Sequence, residues 1–203
     1  IEITKGDIYN IQSSNDAAEL YKITQGFPPN EYLLIENRQV SGYDQQMPGS
    51  GGLLIYHIDE LAGLDTEGYP GQDDWPTNGN HYKIAVLQAD GNYDLEKGTY
   101  TNGYYNSIST DFFHGDGVDE LLPSTDPNLT SGPYPNTDSY QGGIITNTGI
   151  SITDISNSND TMKFKVQFAS EENNASTTTT KIATTTTTTT TTSSTATTEA
   201  PTT

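Results

Sequence analysis

The chain has 203 residues with 8 Lys and Arg against 27 Asp and Glu, a net charge of −19, and no cysteine. Such an acidic chain repels phosphate backbones, so nucleic acid is excluded as a natural partner and cations are favoured. Without cysteine there are no disulfides, and no apolar run approaches the 18 residues that a membrane-spanning helix needs.

The chain opens on Ile1, already in strand-like sequence, and reads as a piece of a longer protein whose N-terminal part is missing. Residues 6–12 (GDIYNIQ) and 20–24 (LYKIT) are short strand candidates, with Ser13, Ser14 and Asn15 as the turn between them. Phe27-Pro28-Pro29-Asn30 then stops the chain and launches its most organised stretch, residues 31–59. Here 32–38 and 53–59 read as two strands joined by a loop holding Gly42, Pro48, Gly49, Ser50, Gly51 and Gly52. Apolar residues occupy both faces of these runs, which predicts strands covered on both sides. Their polar groups gather toward the ends. Glu36 and Arg38 leave one face of the first strand, and His57 and Asp59 do the same on the second. In neighbouring strands the four groups could share a patch. It would be either a charge cluster that satisfies itself or a cleft wall of tuned charges.

Residues 60–80 form a long connection punctuated by Gly63, Gly68, Pro70, Gly71, Pro76 and Gly79 and holding the single Trp75, the kind of loop that tends to be functional or metal-tied. Residues 81–89 (HYKIAVLQA) predict another strand, closed by the turn Asp90-Gly91-Asn92. Residues 93–141 are rich in Gly, Pro, Asn, Asp and Tyr. The last two strands are the clearest: 149–155 (GISITDI) and 161–168 (TMKFKVQF), with residues 157–160 as the hairpin between them. No stretch sustains a 3.6-residue period. The expected fold is mainly β, an antiparallel sandwich-like domain over residues 1–168 with long Gly, Asp and Asn loops. Residues 169–203, almost all Thr, Ser and Ala from Asn173 onward, read as a disordered stalk of the O-glycosylated, mucin-like kind. N-glycosylation sequons stand at Asn128, Asn159 and Asn174, and with the stalk they favour an extracellular or cell-surface protein.

Zinc proteolysis requires two His one helical turn apart with a Glu between them. His57, His81 and His114 have no partner at that spacing, and no G-x-S-x-G elbow occurs. No catalytic residue is therefore assigned to this chain. Two acidic loops have the oxygen-rich, turn-forming character that calcium prefers, Asp90 with Asp94, and Asp116, Asp119 and Glu120 in the loop that begins at Asp111. Neither has the EF-hand spacing, and an acidic loop is as readily a solvated one.

The motifs YLLIENRQ, GYDQQMPGSGG and LLIYHIDE, followed in order by VLQADGNYDL, DFFHGDGVDELLPS, GISITDIS and MKFKV, resemble the immune inhibitor A-like family of secreted zinc metallopeptidases. The resemblance runs from about Gly6 to Phe168 and corresponds to the region downstream of that family's zinc helix. It implies the β-rich C-terminal part of a secreted zinc endopeptidase, inert alone. Its partners would be the catalytic half of the same polypeptide, which would hold the zinc, and a protein or peptide substrate. Calcium would support the fold. The alternative is a non-catalytic binding or adhesion module on a mucin-like stalk.

Overall fold

A computed structural model describes residues 1–47, 49–63, 67–68, 72–75, 78–93, 95, 110–125 and 133–169. Among the described residues seven strands build two antiparallel sheets. Strands β2 (Tyr21–Ile23), β3 (Glu31–Arg38), β4 (Gly52–Asp59) and β5 (Ile84–Val86) form one, in that order. Strands β1 (Asp7–Gln12), β7 (Thr161–Phe168) and β6 (Ile150–Thr153) form the other. The fold is mainly β, as the alternation of the sequence predicts.

The two sheets share one core. Leu33, Ile35, Leu53 and Ile55 from the first sheet and Ile11, Ile150, Ile152, Met162, Phe164 and Val166 from the second are all fully buried. In β7 the even positions Met162, Phe164, Val166 and Phe168 point inward while Thr161 and Lys163 are exposed, the pattern of a strand wet on one face. Tyr9, Tyr21 and Phe164 meet between the sheets with ring centroids 5.6 to 5.8 Å apart, close enough for edge-to-face and offset contacts.

Of three local expectations, two change and one holds. Strand β3 is not covered equally on both sides: Glu31, Leu33, Ile35 and Asn37 are buried, whereas Tyr32, Leu34, Glu36 and Arg38 are half-buried. The aliphatic and aromatic residues of that second face hide the alternation in the sequence. Ser13, Ser14 and Asn15 form the expected turn between β1 and β2, the Asp16 N–H donating to the Ser13 carbonyl at 2.9 Å. They carry the chain from one sheet to the other, and buried Asn37 stitches that crossing by donating Nδ2–H bonds to the carbonyls of Ile11, Asn159 and Asp160 at 3.0 to 3.2 Å. The 81–89 strand shortens to three residues, and its inward positions are Ala85, Leu87 and Ala89, with Ile84 61 % exposed.

The acidic loop after Asp111 also has a structural role. Phe113 pairs with Leu53 at the start of β4 through two 3.0 Å backbone bonds, and Leu121 pairs with Ile152 in β6. This loop therefore ties the sheets together. A side chain at Gly52 would put its Cβ 2.7 Å from the Phe113 carbonyl oxygen, so only glycine admits that pairing. Residues 170–203, and with them the expected stalk and the sequon at Asn174, lie outside the described residues, as do Asp94 and the sequon at Asn128. Among the described residues no helix is long and apolar enough to cross a membrane.

Candidate functional site

The four ionisable groups of the 31–59 stretch do not share one patch. In the β3–β4 ladder Glu36 stands opposite Leu54 and Arg38 opposite Gly52, while Asp59 stands opposite Glu31 and His57 opposite Leu33. The antiparallel register thus sends the C-terminal polar groups of the two strands to opposite ends of the ladder. The pleat puts them on opposite faces as well.

At one end Arg38 forks onto Asp44, Nε to Oδ2 and Nη2 to Oδ1 both at 3.0 Å, and its Nη1 reaches Glu36 at 3.4 Å. Tyr56 donates to the same Glu36 carboxylate at 2.5 Å. The Asp44 hydrogen bonds, set against the cost of partial burial, raise the already high pKa of the guanidinium. Burial and the Glu36 carboxylate push the Tyr56 phenol well above its usual range. The cluster is a self-satisfied surface network.

The other end is buried and was only half visible in the sequence. Glu31, 1 % exposed, accepts three hydrogen bonds of 2.7 Å: from His57 Nε2–H and the Tyr140 N–H at Oε1, and from the Ser139 hydroxyl at Oε2. An ionised carboxylate only accepts, so His57 Nε2 carries the proton and Nδ1 is left to face the Tyr134 hydroxyl at 3.4 Å. The ring of His57 lies among Phe27, Tyr134 and Tyr140 at centroid distances of 5.5 to 5.8 Å. Burial, together with neighbouring tyrosine hydroxyls and acidic side chains, raises the phenol pKa values of Tyr134 and Tyr140, so both remain neutral donors.

Asp59 takes the second histidine. His81 Nε2–H donates to its Oδ2 at 2.8 Å, the Leu61 N–H to Oδ1 at 2.9 Å and Gln141 Nε2–H to Oδ1 at 3.3 Å. Burial would raise this carboxyl, but the hydrogen bonds from His81, Leu61 and Gln141 outweigh it and hold Asp59 below its ordinary value. Gln141 also donates to the Pro29 carbonyl at 2.9 Å, so the short 3₁₀ turn Gln141–Gly143 is latched to the sheet end.

This second pair borders open space. A cleft of about 570 Å³ is lined by Asp59 and His81 together with Leu61, Asn80, Gln141 and Gly143. Its two rims nearly touch: a Cβ at Gly143, which has φ +75°, would fall 3.1 Å from the Gly79 carbonyl oxygen. Glu31 and His81 escape a sequence reading because a charge on an apolar face and a lone histidine resemble scatter until the register pairs them. The available signal was parity, since Glu31 keeps step with Leu33 and Ile35.

The other candidate residues are placed as follows. Asp90 closes its own turn, accepting from the Asn92 backbone and side chain at 2.9 and 3.0 Å and from the Thr110 hydroxyl. Asp116, Asp119 and Glu120 are exposed on the sheet-bridging loop, and Asn159 is exposed on the β6–β7 turn. Among the described residues no three of His, Cys, Asp and Glu come together to hold a metal ion. His57 and His81 each set Nε2 against a buried carboxylate, and neither belongs to a group of three such side chains among the described residues.

Fold and site together define a two-sheet β domain carrying a buried pair of histidine–carboxylate couples at one sheet end. Comparison with known proteins finds no family model, no curated protein and no solved structure that matches the chain.

Proposed function

We propose that this chain is the β-rich C-terminal portion of a secreted zinc metalloendopeptidase, supporting a catalytic half that lies on the same polypeptide. The observation that carries the reading is where the motifs of the resemblance fall. YLLIENR and LLIYHID are β3 and β4, ISIT and TMKFKVQF are β6 and β7, and DFFHGDGVDELL joins the two sheets. Their buried charges are spent on one another, Glu31 on His57 and Asp59 on His81, as a rigid support requires. In this reading the chain supplies no catalytic group and is inert alone. Casein cleavage by the parent polypeptide, with and without a chelator, tests it. Chelator-sensitive cleavage by the parent and none by the isolated chain is the expected result, and a parent with no chelator-sensitive activity overturns it.

A second reading, a non-catalytic extracellular binding module, is favoured by one observation. The cleft beside Asp59 and His81 has walls from three separate chain segments, residues 59–62, 78–81 and 141–143, all within this domain.

A further inference from the structure

We infer that the Asp59–His81 cleft is a docking site for an extended, basic peptide segment carrying an aliphatic side chain. The inference rests on the second reading, in which the cleft binds in its own right.

The floor of the cleft is polar but not charged in effect. The Asp59 carboxylate is occupied by His81, Leu61 and Gln141, so a simple ion finds no open ligand there. What the floor leaves open is amide chemistry. Gln141 spends its Nε2–H groups on Pro29 and Asp59, and its Oε1 has no partner among the described residues. The Asn80 side-chain amide has none either, its backbone N–H alone being held by Asn78. Two amides that offer a donor and acceptors match the N–H and C=O of a peptide main chain. Gly142 lets such a chain come close, since a Cβ there would meet nothing within 4 Å.

The rim is aliphatic. Leu61, in the lining, is 65 % exposed, and Ile144, next in the chain after Gly143, is 71 % exposed. The exposed Leu61 of the wall, with Ile144 one residue past the lining, suits an apolar side chain of a ligand. Apart from His81, the described lining is free of aromatic rings. Sugars stack on such rings, and this wall favours a peptide instead.

Charge selects the kind of peptide. Glu60, between the lining residues Asp59 and Leu61, is exposed, and so is Asp73, whose carbonyl is bonded to Asn78 of the lining at 2.9 Å. The cation Lys83 turns its ammonium to the carbonyls of Glu60 and Ala62 at 2.9 and 3.3 Å. A chain of net charge −19 adds a long-range field of the same sign. Basic residues flanking the aliphatic side chain are therefore attracted, and acidic ones are repelled.

The test uses the full 203-residue chain and fluorescein-labelled nine-residue peptides, followed by anisotropy. One has a central Leu flanked by Lys and Gly, the second has Glu in place of Lys, and the third has Ser in place of Leu. The Lys–Leu peptide is expected to bind about tenfold or more tighter than either control, with the advantage over the Glu peptide shrinking as salt rises. Leu61→Ser, Ile144→Ser and Asn80→Ala are expected to weaken it about three- to tenfold each at unchanged melting temperature. Leu61 and Ile144 are exposed, so those variants keep the fold. No binding, equal binding of the Glu peptide, or full binding by all three variants overturns the inference. The assay needs neither zinc nor cleavage, so its outcome is separate from that of the casein experiment.

Discussion

Glu31 and Asp59 stand directly opposite each other in the β3–β4 ladder, on the buried face, each 1 % exposed. Two carboxylates so placed repel each other, and each accepts a hydrogen bond from its own imidazole, Glu31 from His57 and Asp59 from His81. The histidines arrive from different places, one two residues back along β4 and one from the segment before β5. The pairing thus locks β3, β4, the 78–83 segment and the 133–141 segment into one unit.

Removing Glu31 should be the most damaging single change at this sheet end. Glu31→Ala leaves His57 Nε2–H, the Ser139 hydroxyl and the Tyr140 N–H without their acceptor inside the core. The expected loss is about 3–5 kcal/mol in urea denaturation, the range for breaking a buried pair. Glu31→Gln keeps the shape and one acceptor oxygen, and should cost less than half as much. Equal losses for the two variants would show that packing, and not the acceptor set, sets the stability.

Asp59 predicts the acid limb of the stability profile. Its folded-state pKa is lowered from the ordinary 3.8, so the folded chain binds its proton less readily than the unfolded chain. The stability it contributes is fully present above the unfolded value and is lost as pH falls through the lower folded value. Urea midpoints between about pH 3 and pH 7 should therefore fall toward the acid end, and Asp59→Asn should flatten that fall while lowering the neutral plateau. A variant with the wild-type acid slope would assign the limb to other carboxylates.

How far the sequence discloses this arrangement depends on the residue. Strand β7 is legible to the residue because Met162, Phe164, Val166 and Phe168 alternate with polar neighbours. Strands β3 and β4 are legible as strands, but their pairing face is masked by Tyr32 and Leu34 on the half-exposed side. The grouping of Glu36 and Arg38 with His57 and Asp59 fails for a reason of register. Parity tells which residues of one strand share a face, whereas an antiparallel partner reverses which ends meet. His81 and Gln141 reach Asp59 from 22 and 82 residues away, and such closures carry no local signature.

Arg38 offers the contrast between surface and buried charge. Its side chain is 37 % exposed and its partners Asp44 and Glu36 are partly solvated. Arg38→Ala should cost about 1 kcal/mol or less, and less still in high salt. Melting curves of Arg38→Ala and Glu31→Ala at low and high salt make the comparison. A loss at Arg38 as large as that at Glu31 would give the surface network a structural weight that its exposure does not predict.

Asp138 runs opposite to Asp59. It is fully buried, its Oδ1 accepts the Ser124 N–H at 3.2 Å, and its Oδ2 has no hydrogen-bond partner among the described residues. Burial raises its pKa, only partly offset by the Ser124 bond, so the fold prefers the protonated acid. For a raised carboxyl, protonation stabilises the fold at low pH, and that advantage disappears as pH rises through the folded value. The ionised form is the one that the fold leaves incompletely solvated. Asp138→Asn keeps an acceptor for Ser124 and puts a donor where the protonated acid would have one. It should stabilise the protein at neutral pH by about 1 kcal/mol, and the gain should vanish in acid, where the wild-type group is already neutral. Urea denaturation of both proteins across the same pH range decides it. A destabilised variant at pH 7 would mean that the Oδ2 charge has a cationic or donor partner in the folded chain.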